Sequence, residues 1–79
     1  MIVVLEKHAA KYLERLNEPI KGRIIHSLQS LAKNQKGDVK ALSGQAGYRL
    51  RVGGYRILFG IKNDTIVVTN IAPRGQAYK

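Results

Sequence analysis

One stretch decides the fold of this chain, and it reads YRLRVGGYRILF from Tyr48 to Phe59. Apolar and basic residues alternate on both sides of Gly53-Gly54, and a two-residue glycine loop between two such segments is typical of a β-hairpin. Because successive side chains of a strand point to opposite faces, one face of this hairpin is apolar. That face continues past Phe59 and comprises Tyr48, Leu50, Val52, Tyr55, Ile57, Phe59 and Ile61.

The other face of the hairpin is basic and carries Arg49, Arg51, Arg56 and Lys62. With Gly53-Gly54 as the turn, Arg51 lies directly opposite Arg56. Like charges in that position destabilise a sheet, and the hairpin itself contains no acidic residue. Arginine is suited to phosphate, because its planar fork donates two parallel hydrogen bonds and stays charged. The pattern therefore predicts an anion-binding face.

The composition indicates one small folded domain, residues 1–79, with a large excess of positive charge. Apolar residues make up 44% of the chain, and 14 Lys and Arg against 5 Asp and Glu give a net charge of +9. Such a charge on so short a chain predicts a nucleic acid, an anionic surface or an acidic protein as the partner. Acidic residues are scarcest in residues 41–79, which contain Asp64 alone.

Several classes of protein are excluded or disfavoured by what the chain lacks. There is no cysteine, so a disulfide, a thiolate nucleophile and a thiolate metal site are excluded. The two histidines, His8 and His26, are expected on helices away from the basic face, and we expect no metal and no cofactor. No apolar run approaches the ~18–20 residues that span a bilayer, and no signal-peptide pattern opens the chain, so we expect a cytoplasmic protein without membrane contact.

The remaining segments complete an order of β-α-α-β-β-β. In chain order they are a strand in residues 1–5, a helix from about Lys7 to Asn17, a helix from about Pro19 to Asn34, an irregular connection in 35–47, the hairpin, and a strand from Thr65 to Ile71. This order predicts an α+β domain of two layers, with an antiparallel sheet of about four strands. The two helices should pack as an antiparallel pair on the apolar face, which leaves the basic face open.

The end of the chain adds two candidate residues. Arg74 follows the last strand in Pro73-Arg74-Gly75, and the meander places that strand beside the second strand of the hairpin. We therefore expect Arg74 close to Arg56. Tyr78 follows four residues later, and an aromatic ring beside basic residues can stack on an RNA base.

Two motifs resemble a known family. The motif LSGxxGYRLRVGGYRILF in residues 42–59, followed by PRGQAY in residues 73–78, closely resembles the RelE branch of the RelE/ParE toxin superfamily. The resemblance implies a small fold of two helices on an antiparallel sheet. It also implies a toxin that cuts messenger RNA in the ribosomal A site through attack of a ribose 2′-hydroxyl on the adjacent phosphate, without a metal. A cognate antitoxin holds such toxins inactive, and operator DNA is a further expected partner of the complex.

The resemblance also implies roles for individual residues. Matching motif positions makes Arg56 the phosphate-stabilising arginine, Arg74 the general acid and Tyr78 the tyrosine that orients the substrate. Arg49 and Lys62 are expected to bind RNA.

One departure from the family concerns the general base. The best-known members have lysines at the positions of Arg49 and Arg51, and an arginine pKa above ~12 makes a poor base at pH 7. We therefore expect Arg51 to orient the 2′-hydroxyl and to stabilise the phosphorane electrostatically. The proton then passes to Tyr78 or to ribosomal RNA.

Two other functions stay open at this point. The ParE branch of the superfamily poisons DNA gyrase and needs no catalytic residues, and a module that binds nucleic acid without cleaving it would also be basic. The presence of the whole set of arginines and Tyr78 favours the nuclease.

Overall fold

The computed structural model describes residues 1–73 of the chain. Five strands and two helices occur in this part. In chain order they are β1 (Ile2–Leu5), α1 (Lys7–Arg15), α2 (Ile20–Asn34), β2 (Asp38–Ala41), β3 (Tyr48–Val52), β4 (Tyr55–Lys62) and β5 (Thr65–Pro73). The predicted order of elements is confirmed, with one strand added.

The strands form one sheet in the order β1-β5-β4-β3-β2. Each neighbouring pair among β2 to β5 is antiparallel, as predicted for a meander. β1 instead pairs with β5 in parallel, with Val3 opposite Ile66. The sheet is therefore mixed rather than wholly antiparallel. Both helices and three strands separate β1 from β5 in the chain, so no hairpin fixes their relative direction.

β2 corrects the prediction that residues 35–47 form an irregular connection. Only four residues pair with β3, and Val39 lies opposite Leu50 in this pairing. A tight loop then leads back into β3, closed by the Leu42 amide, which donates to the Gly47 carbonyl at 3.0 Å. The sheet therefore has five strands rather than about four. The sequence did not predict β2, because three glycines around so short an alternation obscure the strand pattern.

The helices follow the predicted boundaries closely. α2 begins just after Pro19, and the carboxylate of Glu18 accepts a hydrogen bond from the Gly22 amide at 2.8 Å, which satisfies a donor of the first turn. At the other end, Gln35 adopts a left-handed conformation with φ 57°, and its amide donates to the Leu31 carbonyl at 2.9 Å. This is a helix-ending geometry that glycine more often provides.

Both helices bury their apolar stripes against the same face of the sheet. α1 contributes Ala9 and Leu13, and α2 contributes Ile24, Leu28 and Leu31. The sheet side of this core comprises Leu50, Val52, Ile57, Phe59, Ile66, Val68 and Ile71. The predicted hairpin register is also observed, and the α+β two-layer prediction is confirmed.

Two tyrosines lie at the edge of this core. The ring of Tyr48 stacks on Phe59 with centroids 5.5 Å apart. Tyr12 is half-buried against the core, where burial and the nearby Tyr55 raise the pKa of its phenol above the usual 10.0. In the described part of the chain, no helix is long and apolar enough to cross a membrane.

Candidate RNA-binding face

The face of the sheet opposite the helices, called the open face from here on, carries a cluster of charged side chains. Residues that lie directly opposite one another in a strand pair point to the same face of the sheet, so the strand registers show which residues belong to the open face. Among residues 1–73, the charged members are Asp38, Lys40, Arg49, Arg51, Arg56 and Lys62. Five cations and one carboxylate make this face strongly basic.

Arg51 and Arg56 are direct partners in the pairing of β3 with β4, as the sequence predicts. Together with the turn residues Gly53 and Gly54, they line a cleft of about 110 Å³. Gly53 has φ 57°, a left-handed conformation that the tight turn requires and glycine adopts without strain. The turn therefore places two guanidinium groups at one cleft.

A carboxylate that the sequence analysis did not predict lies on the other side of Arg51. Asp38 of β2 lies opposite Arg51 on the side away from Arg56, and its Oδ2 is 3.7 Å from the Arg51 Nε. Both side chains are about half exposed, at 54% and 48%. The pair is therefore long and screened by solvent, which leaves Arg51 able to exchange this partner for a phosphate.

Arg49 lies one step further along β3 and is the least exposed charged residue of this face. Its side of the sheet is the open one, yet only 8% of its surface is exposed. Its direct partner on β2 is Lys40, and its partner on β4 is Leu58. A second pair of like charges thus stands beside the first.

The other predicted site residues are spread over a longer distance. Arg56 is half-buried and lies opposite Ala72 of β5. Lys62 ends β4, six residues further along, so about 20 Å of extended strand separates it from the arginine pair. Pro73 lies opposite Tyr55. Arg74 follows directly in the sequence, but Arg74 and Tyr78 lie outside the described residues.

Sequence reasoning missed Asp38 and Lys40, because both belong to the unpredicted strand β2. The available signal was the alternation Asp38-Val39-Lys40, in which one apolar residue stands between two charged ones. His26 lies on α2, on the helix side of the sheet as expected, and it lines a groove of about 460 Å³ together with Arg23 and Arg51.

The chemistry available on the open face is that of guanidinium and ammonium groups. Within residues 1–73, no group of three or more His, Asp and Glu is placed to hold a metal ion. Cationic donors that flank a cleft bind an oxyanion and stabilise negative charge as it develops.

The sequence model of the family described as "ParE toxin of type II toxin-antitoxin system, parDE" matches residues 3–78. The chain belongs to this toxin family. It is a RelE-like member of the RelE/ParE superfamily, as its motifs suggest, and a toxin of a type II toxin–antitoxin system.

Solved structures of RelE proteins share the fold of this toxin. The RelB–RelE complex from Methanococcus jannaschii matches with 28% identity and a TM-score of 0.75, covering 89% of this chain and 88% of that one. The RelE–RelB complex from Pyrococcus horikoshii OT3 matches with 27% identity and a TM-score of 0.77, over 96% and 97% of the two chains.

A more distant relative has the same fold. The isolated Escherichia coli RelE toxin matches with a TM-score of 0.78 at 13% identity, over 96% and 86% of the chains. This match shows that the fold persists where most side chains differ. No curated protein matches the toxin's sequence.

Proposed function

We propose that this toxin is a metal-independent endoribonuclease that cuts messenger RNA in the ribosomal A site and thereby stops translation. The observation that carries the proposal is the Arg51/Arg56 pair, two guanidinium groups at one cleft on a sheet face that neither described helix covers. These two like charges repel across the strand pair, and an anion bound between them reduces the repulsion. A bound phosphodiester offsets the repulsion and accepts hydrogen bonds from both guanidinium groups.

The proposed reaction needs charge stabilisation more than any other assistance. The ribose 2′-oxygen attacks the adjacent phosphorus, the bond from phosphorus to the 5′-oxygen breaks, and a 2′,3′-cyclic phosphate and a 5′-hydroxyl result. The pentavalent phosphorane carries extra negative charge, which Arg51 and Arg56 stabilise through charge-assisted hydrogen bonds. Arg51 also orients the 2′-hydroxyl, because an arginine stays protonated at pH 7 and does not serve as the base.

The remaining roles rest on motif positions. Arg74 is the general acid that protonates the 5′-oxygen as it leaves, and Tyr78 orients the substrate. The proton of the 2′-hydroxyl passes to Tyr78 or to ribosomal RNA. Arg49 and Lys62 bind the RNA strand on either side of the reacting phosphate.

A cognate antitoxin and the ribosome are the proposed partners, and the cytoplasm is the proposed location. The two archaeal relatives were solved as complexes with RelB, which supports an antitoxin for this chain as well. A net charge of +9 favours both an acidic antitoxin segment and ribosomal RNA. Operator DNA is proposed as a partner of the toxin–antitoxin complex.

DNA gyrase is the second candidate target. The matching family is described by the name ParE and by parDE, and the ParE branch acts on gyrase. If gyrase is the target, the basic face contacts a protein–DNA complex, and no single arginine is indispensable to a chemical step.

The decisive experiment measures cleavage of messenger RNA on programmed ribosomes by primer extension. Arg51→Gln and Arg56→Gln should each lower the cleavage rate by about 10²-fold or more, as removal of one donor to a developing oxyanion does. Lys11→Ala is the matched control, because Lys11 is an exposed cation on α1. It should cleave at the unaltered rate.

Two results would contradict the proposal. Equal cleavage by the two glutamine variants and the unaltered protein would remove the arginines from the chemistry. Gyrase-dependent DNA breaks without any cleavage of messenger RNA would establish the second candidate instead.

A further inference from the structure

Two nitrogens of the Arg49 guanidinium group are buried and unpaired in the described part of the chain. Its Nε and Nη2 are inaccessible to solvent, and neither has a hydrogen-bond partner among residues 1–73. Buried charged donors in native proteins are normally paired, because their desolvation is otherwise uncompensated. The arrangement is therefore costly to the isolated toxin.

The surroundings of Arg49 increase this cost. Lys40 is its direct partner on β2, and like charges directly opposite one another repel. Asp38, the one carboxylate on the open face within the described part of the chain, pairs with Arg51 instead. No protein group that the structure describes neutralises Arg49.

A cavity lies where the missing partner would be. It measures about 410 Å³, and its lining residues are Lys40, Ala41, Leu42, Ser43, Gln45 and Arg49. This volume is within the range of about 300–1,000 Å³ that is typical of ligand sites. It accommodates a phosphate with its attached ribose rather than a water molecule alone.

The loop that borders the cavity has side chains suited to an oxyanion. Ser43 contributes a hydroxyl and Gln45 an amide, both of which donate hydrogen bonds without adding charge. The Leu42–Gly47 hydrogen bond closes the loop, and Gly47 adopts φ 110°. An alanine Cβ at position 47 would come within 3.2 Å of the Phe59 carbonyl oxygen, so the loop lies close against β4.

We propose that Arg49, Lys40, Ser43 and Gln45 form a second phosphate subsite, separate from the Arg51/Arg56 cleft. Its ligand is a phosphodiester of single-stranded RNA next to the one that reacts, so the inference rests on the proposed function. Arg49 and Arg51 lie two residues apart on one strand, at about 7 Å, and point to the same face. The two subsites therefore hold neighbouring parts of one strand and set its register over the cleft.

Inorganic phosphate is the first probe, and amide NMR on the intact toxin measures its binding. Phosphate should shift the amide signals of residues 42–47, together with those near the hairpin turn. Arg49→Met keeps the aliphatic volume and removes the charge, and it should abolish the shifts in the loop while those at the turn remain. Arg51→Met should do the reverse, and Lys11→Ala should change neither set.

A second variant separates binding from folding. Ser43→Ala combined with Gln45→Ala alters two exposed side chains, so the fold should persist while the phosphate affinity at the loop falls several-fold. If phosphate does not shift the amide signals of the loop in the unaltered toxin, the proposed subsite is wrong. Unchanged phosphate shifts in the loop of Arg49→Met would contradict it too.

A short single-stranded RNA distinguishes a phosphodiester from free phosphate. The RNA should displace phosphate from the loop, and Arg49→Met should weaken RNA binding about 10-fold. Phosphate that binds but is not displaced by RNA would show a site for free phosphate and overturn the assignment. These readouts need no ribosome. An unaltered toxin that binds RNA at the loop but does not cleave messenger RNA on ribosomes would therefore contradict the proposed function. The second phosphate subsite would still be supported.

Discussion

At the scale of single residues, the cations of the open face differ sharply in their surroundings. Arg51 is half exposed and has a distant carboxylate partner, whereas Arg49 is buried beside Lys40. Residues that alternate identically in the sequence thus have different electrostatic environments. The difference comes from β2, which supplies Asp38 to one arginine and Lys40 to the other.

The Asp38 carboxylate should compete with RNA for Arg51. We expect Asp38→Asn to tighten the binding of single-stranded RNA by about 1.4–5-fold, because a partly exposed ion pair contributes about 0.2–1 kcal/mol. Fluorescence anisotropy with a labelled oligonucleotide measures the change.

Asp64→Asn is the control for this variant, since it also removes one negative charge but lies in the turn between β4 and β5. Equal tightening in both variants would mean that overall charge, not release of Arg51, is responsible.

At the scale of elements, the loop from Leu42 to Gly47 is the least obvious part of the fold. It joins β2 to β3, borders the proposed second subsite and lies close to β4 through Gly47. The hairpin at residues 48–59, by contrast, follows directly from alternation and two glycines. A loop whose shape depends on a neighbouring strand is not specified by its own sequence alone.

Gly47→Ala should therefore destabilise the toxin more than a typical surface substitution. Its φ of 110° disfavours any Cβ, and the nearest backbone oxygen cannot move away cheaply. We expect a loss of about 1–3 kcal/mol in the free energy of unfolding, measured by urea denaturation.

Gly54→Ala serves as the comparison, because a Cβ at that position meets no atom within 4 Å. It should change the free energy of unfolding by less than about 1 kcal/mol. Similar losses at the two positions would show that close packing against β4 is not what Gly47 provides.

At the scale of the whole molecule, charge is separated from the core by the sheet. The helices bury one face of the sheet, and the cations of strands β2 to β4 lie on the other, where no described helix covers them. A net charge of +9 then attracts RNA over a long range, and the open face determines where the RNA strand binds.

Binding of single-stranded RNA should consequently weaken as salt rises. Each cation that neutralises a phosphate contributes about 0.7 to the slope of log K against log salt. Arg49→Met and Arg51→Met should each reduce the slope by about that amount in anisotropy titrations between low and moderate salt. Lys11→Ala should leave it unchanged, and an equal reduction in that control would indicate a diffuse attraction without a defined face.

The hairpin, both helices and the basic face of the hairpin are predictable from the amino-acid sequence. These features depend on local rules, namely alternation in strands, helical spacing of apolar residues and the turn preference of Gly53-Gly54. The family motifs likewise lie in two continuous segments, residues 42–59 and 73–78.

Three features are visible only in the folded structure: the parallel placement of β1, the strand β2, and the unequal surroundings of Arg49 and Arg51. All three depend on contacts between segments that are distant in the chain, such as Val3 with Ile66 and Asp38 with Arg51. Local sequence preference in Asp38–Ala41 is weak, and pairing with β3 supplies the hydrogen bonds that make it a strand. The physical reason is that a short edge strand gains its stability from its neighbour rather than from its own residues.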